Sequence, residues 1–202
     1  MKLYFSPGAC SLAPHIVLRE VGAAFSLVKV DTGTHLTATG VNYYDINMKG
    51  QVPLLELDDA TRLSEGPVIS QFIADQAANT SLMPAAGSLA RYRVMEWLNH
   101  ITSEIHKSFT PLFNPAFNAG AKELHSQLLR KKFEWIDGQL SRSKYLTGEA
   151  FTAADAYLFT VTGWAKHVKL GIADLLHLQR FLNDVAARPA VREAMKAEGL
   201  LA

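Results

Sequence analysis

A break in hydrophobic period at Asn79–Gly87, a stretch that carries Pro84 and Gly87, divides the chain into two unlike halves. Before it, short runs with strand and helix periods alternate. After it, apolar residues recur at helical spacing almost to the end. No internal repeat or low-complexity tract appears, so the division predicts an α+β chain made of two different units.

Lys2–Phe5 reads as a strand closed by the turn Ser6-Pro7-Gly8. An amphipathic stretch with Leu12, Ile16, Val17 and Val21 follows, and Gly22 is its stop. Phe25–Val30 alternates with period two, and Asp31–Gly40 reads as an exposed loop. Leu54–Leu57 and Arg62–Ser64 flank Asp58-Asp59-Ala60 as a hairpin, and Pro67 opens a helix with Val68, Ile69, Phe72 and Ile73 on its apolar face. A β-α-β unit followed by a hairpin and a helix makes a small α/β sandwich over residues 1–78. Residues 79–87 form a linker and 88–202 an all-α unit, with helices near 88–118, 122–141, 152–168, 174–187 and 190–197. Thr152 and Asp155 supply a cap and a first-turn acid for one of them.

Cys10 is the only cysteine. It follows the first strand, and Pro14, which a helix accepts only in its first turn, sets the helix start near Ser11–Ala13. The thiol would then face free backbone N–H groups at the positive end of a helix, which predicts a lowered pKa. A lone cysteine is equally at home as a small buried apolar side chain. Cys10-Ser11-Leu12-Ala13 lacks the second thiol of a C-x-x-C pair, so any disulfide chemistry needs an external thiol, and glutathione is the abundant cytosolic one. Ser11 is a second candidate, as a hydroxyl at the site or as a helix cap.

Two further places carry backbone that could hold a ligand. Gln51-Val52-Pro53 sets a proline at the mouth of a strand, and Glu65-Gly66-Pro67 opens a helix whose N–H groups suit a carboxylate. Ordinary capping explains the second equally well. In the helical half, Asn99, Ser103 and His106 are spaced four and three apart, which predicts one polar stripe beside the apolar Leu98, Ile101 and Ile105. That stripe could equally face solvent.

Taken together these strings resemble the glutathione S-transferases, and Ser6-Pro-Gly-Ala-Cys-Ser11 resembles their bacterial beta class. Asn47-x-x-Gly50-Gln-Val-Pro53, Ser64-Glu65-Gly66, Glu96-Trp97-Leu98-Asn99, Glu104-Ile105-His106-Lys107 and Phe151-Thr152-x-Ala-Asp155-Ala-Tyr157 extend the likeness in order along the whole chain. The resemblance implies a thioredoxin-like glutathione-binding unit followed by a helical bundle that holds an apolar electrophile. It implies that Cys10 lies beside the glutathione sulfur, and that Val52 pairs with the tripeptide backbone next to a cis Pro53. Glu65 and the Gly66 N–H would hold the γ-glutamyl end, and His106, Lys107, Asn99 and Ser103 would approach from the helical unit. Two positions depart from the pattern. Gly66 stands where many transferases have Ser, and His35 where a Lys is frequent in the class, which weakens a carboxylate contact at neutral pH.

Composition restricts the alternatives. Twenty Lys plus Arg against 19 Asp plus Glu give a net charge of +1, and the one basic run, Arg130–Lys132, sits in a helical pattern, so nucleic acid is not an expected partner. No stretch suits a signal peptide or a membrane span, and a single thiol suits a reducing cytoplasm. The seven histidines form no zinc spacing, and no glycine-rich nucleotide loop is present. The expected function is conjugation of the glutathione thiolate to apolar electrophiles by a homodimer without metal. Thiol–disulfide exchange or dehalogenation through Cys10, or ligand binding without catalysis, are the rivals.

Overall fold

The computed structural model describes residues 1–201; Ala202, the last residue of the expected helical unit, lies outside them. Five strands form one mixed sheet: β1 (Lys2–Phe5), β2 (Ser26–Asp31), β3 (Leu36–Thr37), β4 (Leu54–Glu56) and β5 (Arg62–Ser64). Their spatial order is β3-β2-β1-β4-β5. β1 and β2 run parallel with Leu3 opposite Leu27, whereas β4 lies antiparallel to β1 and β5 to β4. The parallel pair requires a crossover, which is α1 (Leu12–Glu20). Pro14 is the third residue of α1, where its missing N–H is one the helix could not have paired.

α2 (Gly66–Gln76) follows the hairpin. Then come α3 (Leu89–His100), a π-helical segment Ile101–His106, α4 (Lys107–Phe113), α5 (Ala119–Leu140), α6 (Ala153–Thr162), α7 (Leu176–Ala186) and α8 (Pro189–Ala197). On α5, Leu129, Phe133, Ile136 and Leu140 are buried at spacings of four, three and four, one apolar stripe toward the core. α6 is buried on nearly every side. α1 packs against α2, α6 and α8, so one apolar core runs from Leu3 in the sheet to Phe181 in α7.

Three boundaries differ from expectation. The 31–40 loop contains β3, held by pairing with β2. The helix expected over 88–118 divides at the π segment and stops at Phe113, because Asn114 precedes Pro115 and is extended (ψ 119°). The helix expected over 152–168 tightens into a 3-10 turn at Gly163–Lys166. Thr152 and Asp155 form the expected cap: the Asp155 carboxylate accepts from the Thr152 N–H (2.8 Å), the Thr152 hydroxyl (2.8 Å) and the Leu146 N–H (2.9 Å).

Candidate active site

A cleft of about 610 Å³ opens where the C-terminal end of β1 and the N-terminus of α2 face the π segment and α4. Cys10, His35, Gln51, Val52, Pro53, Glu65, Gly66, His106 and Lys107 all border it, so the structure brings together nine of the residues singled out from sequence.

Cys10 sits just before α1, half-buried, with its Sγ donating to the Val52 carbonyl at 3.2 Å. The expected lowering of its pKa is overturned. Burial pushes the thiol up to about 11, outweighing the backbone N–H groups of Cys10 and Ser11, and the Glu65 carboxylate pushes the same way. Near pH 7 Cys10 is therefore a thiol in this cleft. Ser11 is placed elsewhere: it is fully buried, caps nothing, and its hydroxyl binds the Ser6 N–H (3.2 Å) and carbonyl (3.3 Å). It braces the turn beneath the cleft without lining it.

The opposite wall begins with His106. Its Nδ1 lies 2.6 Å from the Tyr157 hydroxyl, and its ring meets the edge of Trp164 at 4.8 Å. Burial, then the adjacent Lys107 charge, draws its pKa down to about 4. Burial raises Tyr157 above the ordinary phenol range. Both groups are therefore neutral near pH 7 and share one proton across this contact: with Tyr157 as donor the imidazole proton sits on Nε2, and with Nδ1–H as donor Nε2 is an acceptor.

At the sheet end, the Val52–Pro53 peptide is cis. The preceding Gln51 carbonyl accepts from the Tyr43 hydroxyl (3.0 Å) and the Asn47 amide (2.7 Å). Glu65 takes a left-handed backbone (φ 70°) immediately before α2, a strained choice for a non-glycine residue, and its carboxylate pairs with Lys49 at 2.7 Å. His35 also has positive φ (55°); its ring lies 4.5 Å from that of Tyr44, and its buried Nδ1 has no partner.

Asn99 and Ser103 do not line the cleft. Both are exposed, and the Ser103 hydroxyl bonds back to the Asn99 carbonyl at 3.1 Å. The helix widens at Ile101, between Asn99 and Ser103, and in this chain Thr102, His106 and Thr110 border the cleft. The sequence patterns gave no site role to Tyr157 or Trp164. Their spacing of seven, after a strong cap at Thr152, was the signal that they share a face. Trp164 reaches further: its Nε1–H donates to the Gly8 carbonyl (2.7 Å), while the Gly8 N–H donates to Glu198 (2.9 Å).

Comparison with known proteins agrees with this geometry. Glutathione S-transferase GstA of Escherichia coli O157:H7 is 46% identical over 200 residues, covering 99% of this chain and 100% of its own. The chain belongs to the glutathione S-transferase family. The family's C-terminal domain description matches residues 100–189 of this transferase. A sphingomonad glutathione S-transferase complexed with glutathione superposes with a TM-score of 0.95 at 44% identity, covering all of both chains. The bacterial beta-class enzyme of Sphingomonas chungbukensis gives 0.95 at 43% identity, again over both whole chains. Among the described residues, no three His, Cys, Asp or Glu side chains cluster as a metal site, and no helix is long and apolar enough to cross a membrane.

Proposed function

We propose that this transferase binds glutathione in the cleft with its sulfur between Cys10 and His106, and transfers it to small apolar electrophiles. The convergence of those two residues, one from each half of the chain, carries the reading. Val52 would pair with the tripeptide backbone, Glu65 and the Gly66 N–H would hold the γ-glutamyl end, Lys107 would supply positive charge, and His35 would stand beside a carboxylate. With Tyr157 donating to Nδ1, a neutral His106 would carry its proton on Nε2 and donate it to a thiolate, and Phe109, Phe113 and Trp164 supply an aromatic wall for the electrophile. The glutathione thiol releases its proton to solvent, and the thiolate then forms the C–S bond as the leaving group departs with its electron pair. Lowering a thiol pKa by two units takes about 2.7 kcal/mol, which one charge-assisted hydrogen bond and a helix N-terminus can supply together.

The reading includes residues 1–78 and 88–202 as the two functional domains, joined by 79–87, in a cytoplasmic homodimer. Support for the dimer comes from exposed apolar side chains on adjoining helices: Leu89 and Tyr92 of α3 and Val68 of α2. Steady-state conjugation of glutathione to an aryl halide tests the activity, with reduction of a glutathione mixed disulfide as the rival assay. Conjugation absent while mixed-disulfide reduction is present would transfer the reading to Cys10 redox chemistry; absence of both would leave a binding protein. Light scattering should give about twice the chain mass of 22.2 kDa.

A further inference from the structure

Thr102, His106 and Thr110 border the cleft at successive spacings of four, while Ile101 and Ile105, also four apart, are buried against the core. A regular α-helix would spread such a face. Four residues advance it about 40° past a full turn, so Thr110 would stand about 80° from Thr102. The π segment Ile101–His106 removes that drift, since each closing hydrogen bond spans one residue more, as in Lys107 N–H to the Thr102 carbonyl. The wide turn thus aims His106 at the cleft while its neighbours keep their faces.

Such a turn disturbs the hydrogen-bond ladder and needs support from outside. Lys132 of α5 provides it. Its Nζ lies 2.9 Å from the Glu104 carbonyl, 2.9 Å from the Glu104 carboxylate and 2.9 Å from the Ser108 hydroxyl, which itself donates to the same carbonyl at 2.6 Å. An ammonium has three N–H donors, and all three have acceptors within one stretch of helix.

We infer that Lys132 is a positioning residue for the transfer reaction: its tripod on Glu104 and Ser108 holds the widened turn that presents His106 to the glutathione sulfur. The inference rests on the proposed reading of the cleft. Its energetic signature is geometric more than global, because the Glu104–Lys132 pair is partly exposed and such pairs contribute little to stability.

The test is a double-mutant cycle with a structural readout. Lys132→Met keeps the stem and removes the donors; it should lower kcat for aryl-halide conjugation about 5-fold, with the KM for glutathione changed less than about 2-fold. In a His106→Ala background the same substitution should change kcat less than about 1.5-fold, since the positioned group is gone. Glu104→Gln, which keeps the carbonyl acceptor, should cost less than Lys132→Met. The ring-proton NMR signals of His106, displaced by the Trp164 indole beside it, should move in Lys132→Met without substrate present. Unmoved signals overturn the tripod whatever the activity shows. Equal losses in both backgrounds overturn the link to His106. If His106→Ala alone costs nothing, the cleft reading fails and this role falls with it, even where the NMR signals move.

Discussion

The Tyr157 hydroxyl stands 2.6 Å from His106 Nδ1, a tyrosine from α6 in hydrogen-bond contact with a histidine at the end of the π segment. In the proposed reading the hydroxyl donates to Nδ1, which leaves the Nε2–H as the one ring donor. Tyr157→Phe keeps the ring and removes this control. It should lower kcat for conjugation on the order of 10-fold, the effect of about 1.4 kcal/mol, with Tm little changed. Steady-state kinetics and a thermal melt check both halves.

The depressed pKa of His106 gives a pH signature of its own. Its folded value of about 4 lies below the ordinary 6.5, so the unfolded chain takes up the proton first as pH falls. The stability linked to His106 is therefore complete above about pH 6.5 and is lost as pH drops toward 4. Melting temperatures of the native protein and of His106→Asn, measured across this range, should diverge at the upper end and converge at the lower.

Cys10 should behave as a protonated thiol until ligand arrives. With its pKa raised to about 11, iodoacetamide at pH 7.5 should alkylate it far more slowly than a free cysteine. Cys10→Ala should abolish covalent glutathionylation by oxidised glutathione, read by intact mass, and keep much of the conjugation.

Asp155 accepts three hydrogen bonds in a fully buried position. Asp155→Ala would leave the Thr152 and Leu146 N–H groups without acceptors inside the core, at a cost of about 2–5 kcal/mol for the pair. Urea denaturation should report that loss, with activity per folded molecule nearly unchanged.

Gly50 has φ 63°, and a Cβ there would come within 2.6 Å of the Tyr44 ring and 3.1 Å of His35 Nδ1. Gly50→Ala should push His35 away from the cleft and raise the KM for glutathione several-fold, with a smaller effect on kcat. Unchanged glutathione kinetics would remove His35 from the binding residues.

Where the sequence was legible, the physics was local. Pro14 announced the start of α1, Gly22 its end, and Thr152 with Asp155 the opening of α6. The Cys10, Gln51–Pro53 and Glu65–Gly66 segments were readable because each sits where a strand meets a turn or a helix. Asn99 and Ser103, exposed and away from this chain's cleft, show the opposite case: their grouping with His106 assumed one helical period, and nothing local marks the wide turn that Lys132 of α5 contacts from another helix. The raised Cys10 pKa was equally hidden, since it depends on walls that residues far along the chain close around the thiol. Ser11 looked like a cap or a catalytic hydroxyl because its neighbour is Cys10, but the turn at Ser6 claims its side chain.

The turn that carries Cys10 is tied at Gly8 to Trp164 and to Glu198, 156 and 190 residues away in sequence. During synthesis, then, the first strand and its cysteine emerge early, but the two clasps on Gly8 cannot both close until Glu198, 190 residues later, has left the ribosome. An N-terminal half made alone would carry the thiol on a turn without these clasps, and a nascent chain would complete the candidate site only after Glu198 had emerged.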